Sequence, residues 1–127
     1  MVQKNKKILI IEDDKFLAKM LANTLESHGY EIVLAINGKE GLIKASGENV
    51  NLILLDIMLP DFDGFDLLET IKKEEKTKKV PVIILSNLGQ PEDKQQGRAL
   101  GAVDYLVKSD FSLDEVIKKV RKYLPLN

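Results

Sequence analysis

The chain has no cysteine among its 127 residues. Disulfides, thiolate metal sites and cysteine nucleophiles are therefore excluded, and the absence fits a reducing compartment. There is one histidine, His28, placed before Gly29 near a helix end, where it suits the C-terminal dipole better than catalysis. Charge of one sign is also lacking: 19 basic residues face 20 acidic ones, for a net charge of −1. That balance gives no electrostatic reason to expect nucleic acid or an anionic membrane as partner. Long apolar runs are missing too. A bilayer span needs about 20 apolar residues, and no run here approaches that. Residues 1–7 are basic, but no long apolar segment follows them, so no signal peptide is expected. The expectation is one cytoplasmic domain over residues 1–127, with its core at about 7–125 and no output domain. At this length roughly two-thirds of the unfolded surface can be buried, enough for one core.

What the chain does contain is a set of short apolar runs, each ending in a reactive residue. Ile8–Ile11 leads into Glu12 and Asp13, Leu52–Leu55 into Asp56, Val82–Leu85 into Ser86, and Tyr105–Val107 into Lys108. Short continuous apolar runs bounded by turn residues read as strands buried on both faces of a parallel sheet. Helical patterns lie between them. Asp14 caps a first helix carrying Phe16, Leu17, Met20, Leu21 and Leu25 at helical spacing. Gly29 stops that helix, Glu31–Ala35 reads as the second strand, and Asn37 to Glu40 then opens a second helix as a capping box, with Leu42, Ile43 and Ala45 facing inward. Phe65, Leu67, Leu68 and Ile71 start a third, which dissolves into a charged, solvated stretch at Lys72–Lys79. Pro91 opens a fourth, thinly apolar helix, roughly Glu92 to Leu100. A strand at Val103–Val107 follows, and then a last helix, which begins at the capping box Ser112–Glu115 and has a stripe of Leu113, Val116, Ile117, Val120 and Leu124. Residues 1–6 and 125–127 read as frayed ends.

Alternating βα units imply a parallel sheet covered on both faces by right-handed crossovers. Five strands suit a doubly wound α/β fold, a flavodoxin-like (βα)5 three-layer sandwich in the order 2-1-3-4-5. Ligands in such sheets bind beyond the carboxyl ends of the strands, at the point where strand order reverses, between strands one and three. Glu12, Asp13 and Asp56 fall there. Two carboxylates 4 Å apart at an effective dielectric of about 20 repel by on the order of 4 kcal/mol. Such a cluster calls for a cation, and an all-oxygen donor set suits Mg²⁺. Asp56 can then attack phosphorus to give an aspartyl phosphate, with Lys108 and the Ser86 hydroxyl on the transferred oxygens.

The segments ILIIEDD at 8–14, LILLDIMLPDFDG at 52–64, VPVIILS at 80–86 and GAVDYLVK at 101–108 together carry a family likeness. Over about residues 7–125 the chain resembles the receiver domain of two-component response regulators, of the stand-alone kind. The resemblance implies that Asp56 is the phosphoacceptor. It also implies that Asp13 binds Mg²⁺ directly, Glu12 binds it through water, and the Met58 carbonyl supplies a further ligand. It makes Ser86 the switch hydroxyl, Tyr105 the aromatic that turns inward behind it, and Lys108 the cation on the phosphoryl oxygens. The implied donor is a phosphohistidine on a sensor histidine kinase or histidine phosphotransfer protein. The implied output face is built from the fourth helix, fifth strand and fifth helix of a monomer or weak dimer, and it docks on a downstream protein. No external substrate is turned over. Two positions depart from the pattern. Ser109 stands where the family has a proline after a cis bond, which implies either a trans bond or a strained loop. Asn87 replaces a small residue and is expected to narrow access to Asp56.

Three rivals share parts of this pattern. Asp61-Phe62-Asp63-Gly64 superficially matches the DxDG signature of haloacid dehalogenase-like phosphatases, but it follows Pro60 rather than a strand. A flavin binder would need a Ser/Thr-rich phosphate loop after the first strand, where this chain has acids. A phosphorylation-independent, receiver-like interaction module is the remaining alternative.

Overall fold

Each apolar run becomes a strand and each amphipathic segment a helix in the computed structural model, which describes residues 6–126. The strands are β1 (Lys7–Ile11), β2 (Glu31–Ala35), β3 (Leu52–Leu55), β4 (Val82–Ser86) and β5 (Asp104–Val107). The helices are α1 (Lys15–Ser27), α2 (Gly38–Gly47), α3 (Gly64–Lys73), α4 (Pro91–Ala99) and α5 (Leu113–Tyr123). The sheet order is β2-β1-β3-β4-β5, and every neighbouring pair is parallel. The strand order thus reverses between β1 and β3, as expected.

The three central strands have no exposed residue, which is why they read as continuous apolar runs. Successive side chains go to opposite faces. Leu9, Ile11, Ile53, Leu55, Val82 and Ile84 pack on one side with Leu67, Leu68 and Ile71 of α3. Ile8, Ile10, Leu52, Leu54, Ile83 and Leu85 pack on the other with α1 and α5. The cap residues follow the sequence signals, but the reciprocal bond of a capping box forms at Gln90 and Asp93 of α4 rather than at Asn37–Glu40 or Ser112–Glu115, and the Glu40 carboxylate pairs with Lys44 instead. The side chain of Asp14 accepts from the N–H groups of Phe16 and Leu17, Asn37 from Glu40, Asp63 from Phe65 and Asp66, and Ser112 from Glu115.

Four further local expectations are corrected. On α1, Phe16 is 76% exposed and Met20 37%, while Ala18, Leu21, Ala22 and Leu25 face the sheet. On α2, Ile43 is 63% exposed, and Gly38, Gly41 and Ala45 turn inward. In both helices small residues let the backbone approach the strands, and that closeness outweighs the larger side chains on another face. At Gly41 an added Cβ would lie 2.7 Å from Ile11 Cδ1. Third, the stretch 72–79 is not wholly solvated. Thr77 is buried, with its hydroxyl donating to the Ile71 carbonyl at 2.6 Å, and Lys72 Nζ donates to the Val80 carbonyl at 2.6 Å. Finally, β5 begins one residue later than expected, at Asp104. The expectations for residues 1–5 and 127 lie outside the described residues.

Asp104 is a buried carboxylate within an apolar strand. It sits 3.0 Å from Lys119 Nζ and accepts from the Tyr123 hydroxyl at 3.1 Å. Burial pushes its pKa up, but the Lys119 ammonium and the hydrogen bonds prevail and hold it below the usual carboxylate value. Its contribution to stability is therefore present above the ordinary carboxylate pKa and lost as pH falls through the lowered folded value. Asp104→Asn is expected to lower the unfolding free energy at neutral pH by about 1–2 kcal/mol, a modest figure because Lys119 stays solvated. Urea titrations check this: the gap between variant and wild type should close in acid, and a gap independent of pH would contradict the assignment.

Candidate functional site

Two hydrogen bonds carry the ladder past the strand ends and place the acids. Glu12 N–H donates to the Ala35 carbonyl at 2.9 Å, and Asp56 N–H donates to the Ile11 carbonyl at 3.0 Å. Both side chains are buried at the β1–β3 crevice, Glu12 at 2% exposure and Asp56 at 3%. Asp13, one residue on, is exposed. Oxygens from all three lie within 4.8 Å of one another. From the other side, the Lys108 N–H is held on the Ser86 carbonyl at 2.8 Å. Its side chain reaches across β4 to place Nζ 2.7 Å from Glu12 Oε1 and 3.0 Å from Asp56 Oδ2. Asp56 Oδ1 accepts from the Met58 N–H at 3.0 Å, and Glu12 Oε2 from the Asp14 N–H at 3.1 Å. Despite its ion pair, Glu12 Oε1 receives no hydrogen bond of good geometry, so a buried acceptor remains open.

One ammonium does not neutralise three carboxylates, and the donors are all oxygen. The cluster fits a hard divalent cation such as Mg²⁺ on both counts. The electrostatic load shows in Glu12, whose pKa rises from 4.5 to about 7. Burial is the largest cause; the Lys108 contact opposes it and the Asp56 charge adds to it. Lys108 itself is raised: burial works against its charge, but the two carboxylates outweigh that.

Between pH 4.5 and about 7 the folded protein keeps a proton on Glu12 that the unfolded chain has released. Stability without metal should therefore fall as pH rises through that window and level off above it. A cation that takes the ionised carboxylate displaces the proton, so Mg²⁺ affinity should climb over the same window. Calorimetric Mg²⁺ titrations in buffers of different ionisation enthalpy would read the released proton. Affinity that stays flat across the window, with no proton released, would refute this account of Glu12.

Ser86 is fully buried at the end of β4, and its Oγ accepts from the Leu88 N–H at 3.2 Å. Among the described residues it makes no hydrogen bond to Asp56. Tyr105 already lies inside, at 6% exposure, with its hydroxyl donating to the Leu88 carbonyl. Both backbone groups of Leu88 are thus held by side chains. Gly97 of α4 leaves space for this ring: a Cβ there would stand 2.6 Å from Ile84 Cδ1 and 3.2 Å from Tyr105 Cδ2. No cis peptide bond occurs among the described residues, so Lys108–Ser109 is trans. Asn87 is exposed and does not line the cleft of about 450 Å³ beside the acids, whose walls include Asp13, Met58, Phe62 and Leu88.

The DxDG-like segment has structural uses. Asp63 caps α3, while Asp61 Oδ1 and Oδ2 accept from the Gly38 and Lys39 N–H groups of α2 at 2.8 and 3.0 Å. These bonds, that from Gly38 foremost, hold the Asp61 carboxyl below its usual pKa. No spacing in the sequence signalled this cross-element contact.

The response regulator receiver domain model matches residues 8–121. Curated relatives include the DNA-binding dual master transcriptional regulator RpaA of Synechocystis sp. It is 40% identical over 118 residues, which are 93% of this chain and 48% of that protein. The alkaline phosphatase synthesis transcriptional regulatory protein PhoP of Bacillus subtilis is 37% identical over 120 residues, 94% of this chain and 49% of that protein. The chain thus spans about half the length of the curated relatives it matches. Among solved structures, the Vibrio cholerae chemotaxis protein CheY4 superposes with a TM-score of 0.89 at 30% identity, covering 95% of this chain and all of that one. No described helix is long and apolar enough to cross a membrane. With the acidic crevice, the opposed lysine and the 2-1-3-4-5 sheet all in place, the chain belongs to the response regulator receiver domain family.

Proposed function

We propose that Asp56 accepts a phosphoryl group from a phosphohistidine on a sensor kinase or a histidine phosphotransfer protein. One observation carries the reading: a buried carboxylate at the switch point with an ammonium 3.0 Å away, inside a cluster of three acids. A carboxylate oxygen of Asp56 forms a bond to phosphorus as the P–N bond of the donor breaks. The electron pair stays on the ring nitrogen, which leaves as neutral imidazole when its other nitrogen carries a proton. Lys108 stays on the transferred oxygens and holds their charge. A bound Mg²⁺, held by Asp13, Asp56 and the Met58 carbonyl and through water by Glu12, would neutralise the same oxygens.

The added charge gives Ser86 a new partner beyond the Leu88 N–H, and the β4–α4 loop responds. Tyr105 stays coupled to that loop through the Leu88 carbonyl, and α4, with its single buried residue, follows. Reading-out falls to the α4–β5–α5 face and a protein docked on it. The location proposed with this reading is the cytoplasm, and the only group transfer is onto the domain itself. Intact-mass measurement after incubation with Mg²⁺ and acetyl phosphate tests the reading. One phosphoryl addition that a chelator prevents supports it; no addition overturns it.

A further inference from the structure

The loop between β3 and α3 is closed on itself and also fastened to a helix outside it. Gly64 N–H donates to the Ile57 carbonyl at 3.0 Å, and Met58 pairs with Asp63 in an antiparallel bridge. Gly64 must be glycine for this closure, since a Cβ would stand 2.3 Å from Ile57 Cα. The tip of the loop then reaches α2. The two carboxylate oxygens of Asp61 take the Gly38 and Lys39 N–H groups, and the Phe62 ring covers Gly38 so closely that a Cβ there would come within 2.5 Å of Cδ2. Helix α2 already has its own cap in Asn37, which accepts from Glu40 N–H at 2.8 Å. Asp61 is exposed, and water could satisfy the same donors. The contact is therefore not required by burial; it fixes where the loop sits.

The other end of that loop is the phosphoacceptor itself, because the Met58 N–H rests on Asp56 Oδ1 at 3.0 Å. We infer that Asp61 is a positioning residue for the metal and phosphoryl site: its grip on the first turn of α2, together with the Phe62 ring over Gly38, holds Met58 against Asp56. The inference rests on the phosphoacceptor reading and deepens it. Groups that orient the ligands of a metal commonly influence affinity without touching the ion.

The test compares the wild type with Asp61→Ala, Asp61→Asn and, as control, Tyr30→Phe. The control removes the Tyr30 hydroxyl's hydrogen bond to the Leu124 carbonyl, made by residues ahead of β2 and after α5. Each protein is titrated with Mg²⁺ by calorimetry, melted, and incubated with acetyl phosphate at limiting and at saturating Mg²⁺. Asp61→Ala should weaken Mg²⁺ binding by about tenfold and slow phosphoryl uptake more at limiting than at saturating Mg²⁺. Asp61→Asn, which still offers one acceptor oxygen, should fall between it and the wild type. Tyr30→Phe should melt earlier with its Mg²⁺ affinity unchanged. Wild-type affinity and rate in both Asp61 variants would overturn the inference, as would equal weakening in Tyr30→Phe. A wild type that neither binds Mg²⁺ nor gains a phosphoryl group would instead overturn the phosphoacceptor reading beneath it.

Discussion

Asp56→Asn is expected to gain no mass on incubation with Mg²⁺ and acetyl phosphate under conditions in which the wild type gains one phosphoryl group. The carboxamide has no anionic oxygen to attack phosphorus and cannot form the mixed anhydride. Neither neighbouring acid is placed to substitute for it. Glu12 is tied to Lys108 and to the Asp14 N–H, and Asp13 stands exposed at the mouth of the crevice. The same substitution has an electrostatic signature that needs no phosphodonor. The Asp56 charge is one of the causes that raise Glu12, so its removal should let the Glu12 pKa fall from about 7 toward its ordinary value. The loss of metal-free stability between mildly acidic and neutral pH should then become shallower. A variant that takes up phosphoryl at the wild-type rate would mean that the nucleophile lies elsewhere.

Ile84→Ala should cost about 2–5 kcal/mol, the range for deleting a fully buried branched side chain. Domains of this size are stable by about 5–15 kcal/mol in total, so the loss is a large share. Ile84 is fully buried in β4 and stands beneath Gly97, the one described residue of α4 that is buried. The cavity would therefore open under the helix least able to fill it, and amide exchange in α4 should quicken well before that in β3. Urea unfolding with hydrogen exchange reads both effects. Phe16→Ala is the contrast: an equally apolar residue, but exposed, with an expected change within about 0.5 kcal/mol. A cost for Ile84→Ala below about 1 kcal/mol would contradict the packing described.

The two substitutions bear on different layers of legibility. The strands and their reactive ends could be read because both faces of the central sheet are covered, so burial leaves a continuous apolar run and polarity returns only where the strand stops. Glu12, Asp56, Ser86 and Lys108 stand out for that reason. The inward faces of α1 and α2 were harder, because each helix offers two apolar stripes. Which one meets the sheet depends on how close the backbone can come, and Gly41 and Ala18 decide that more than Ile43 or Phe16. Contacts between distant elements left no periodic trace at all. The contacts of Asp61 with the start of α2 and of Asp104 with Lys119 and Tyr123 each depend on tertiary placement alone.

Helix α4 contributes almost nothing to the interior beyond a glycine, and its outer side chains are polar or charged. Replacing those outer residues should change stability little. Its exterior can consequently be rewritten, by drift or by design, while the layer beneath it stays as it is. A segment of that kind is where a scaffold can acquire new recognition sequences without first being made sturdier.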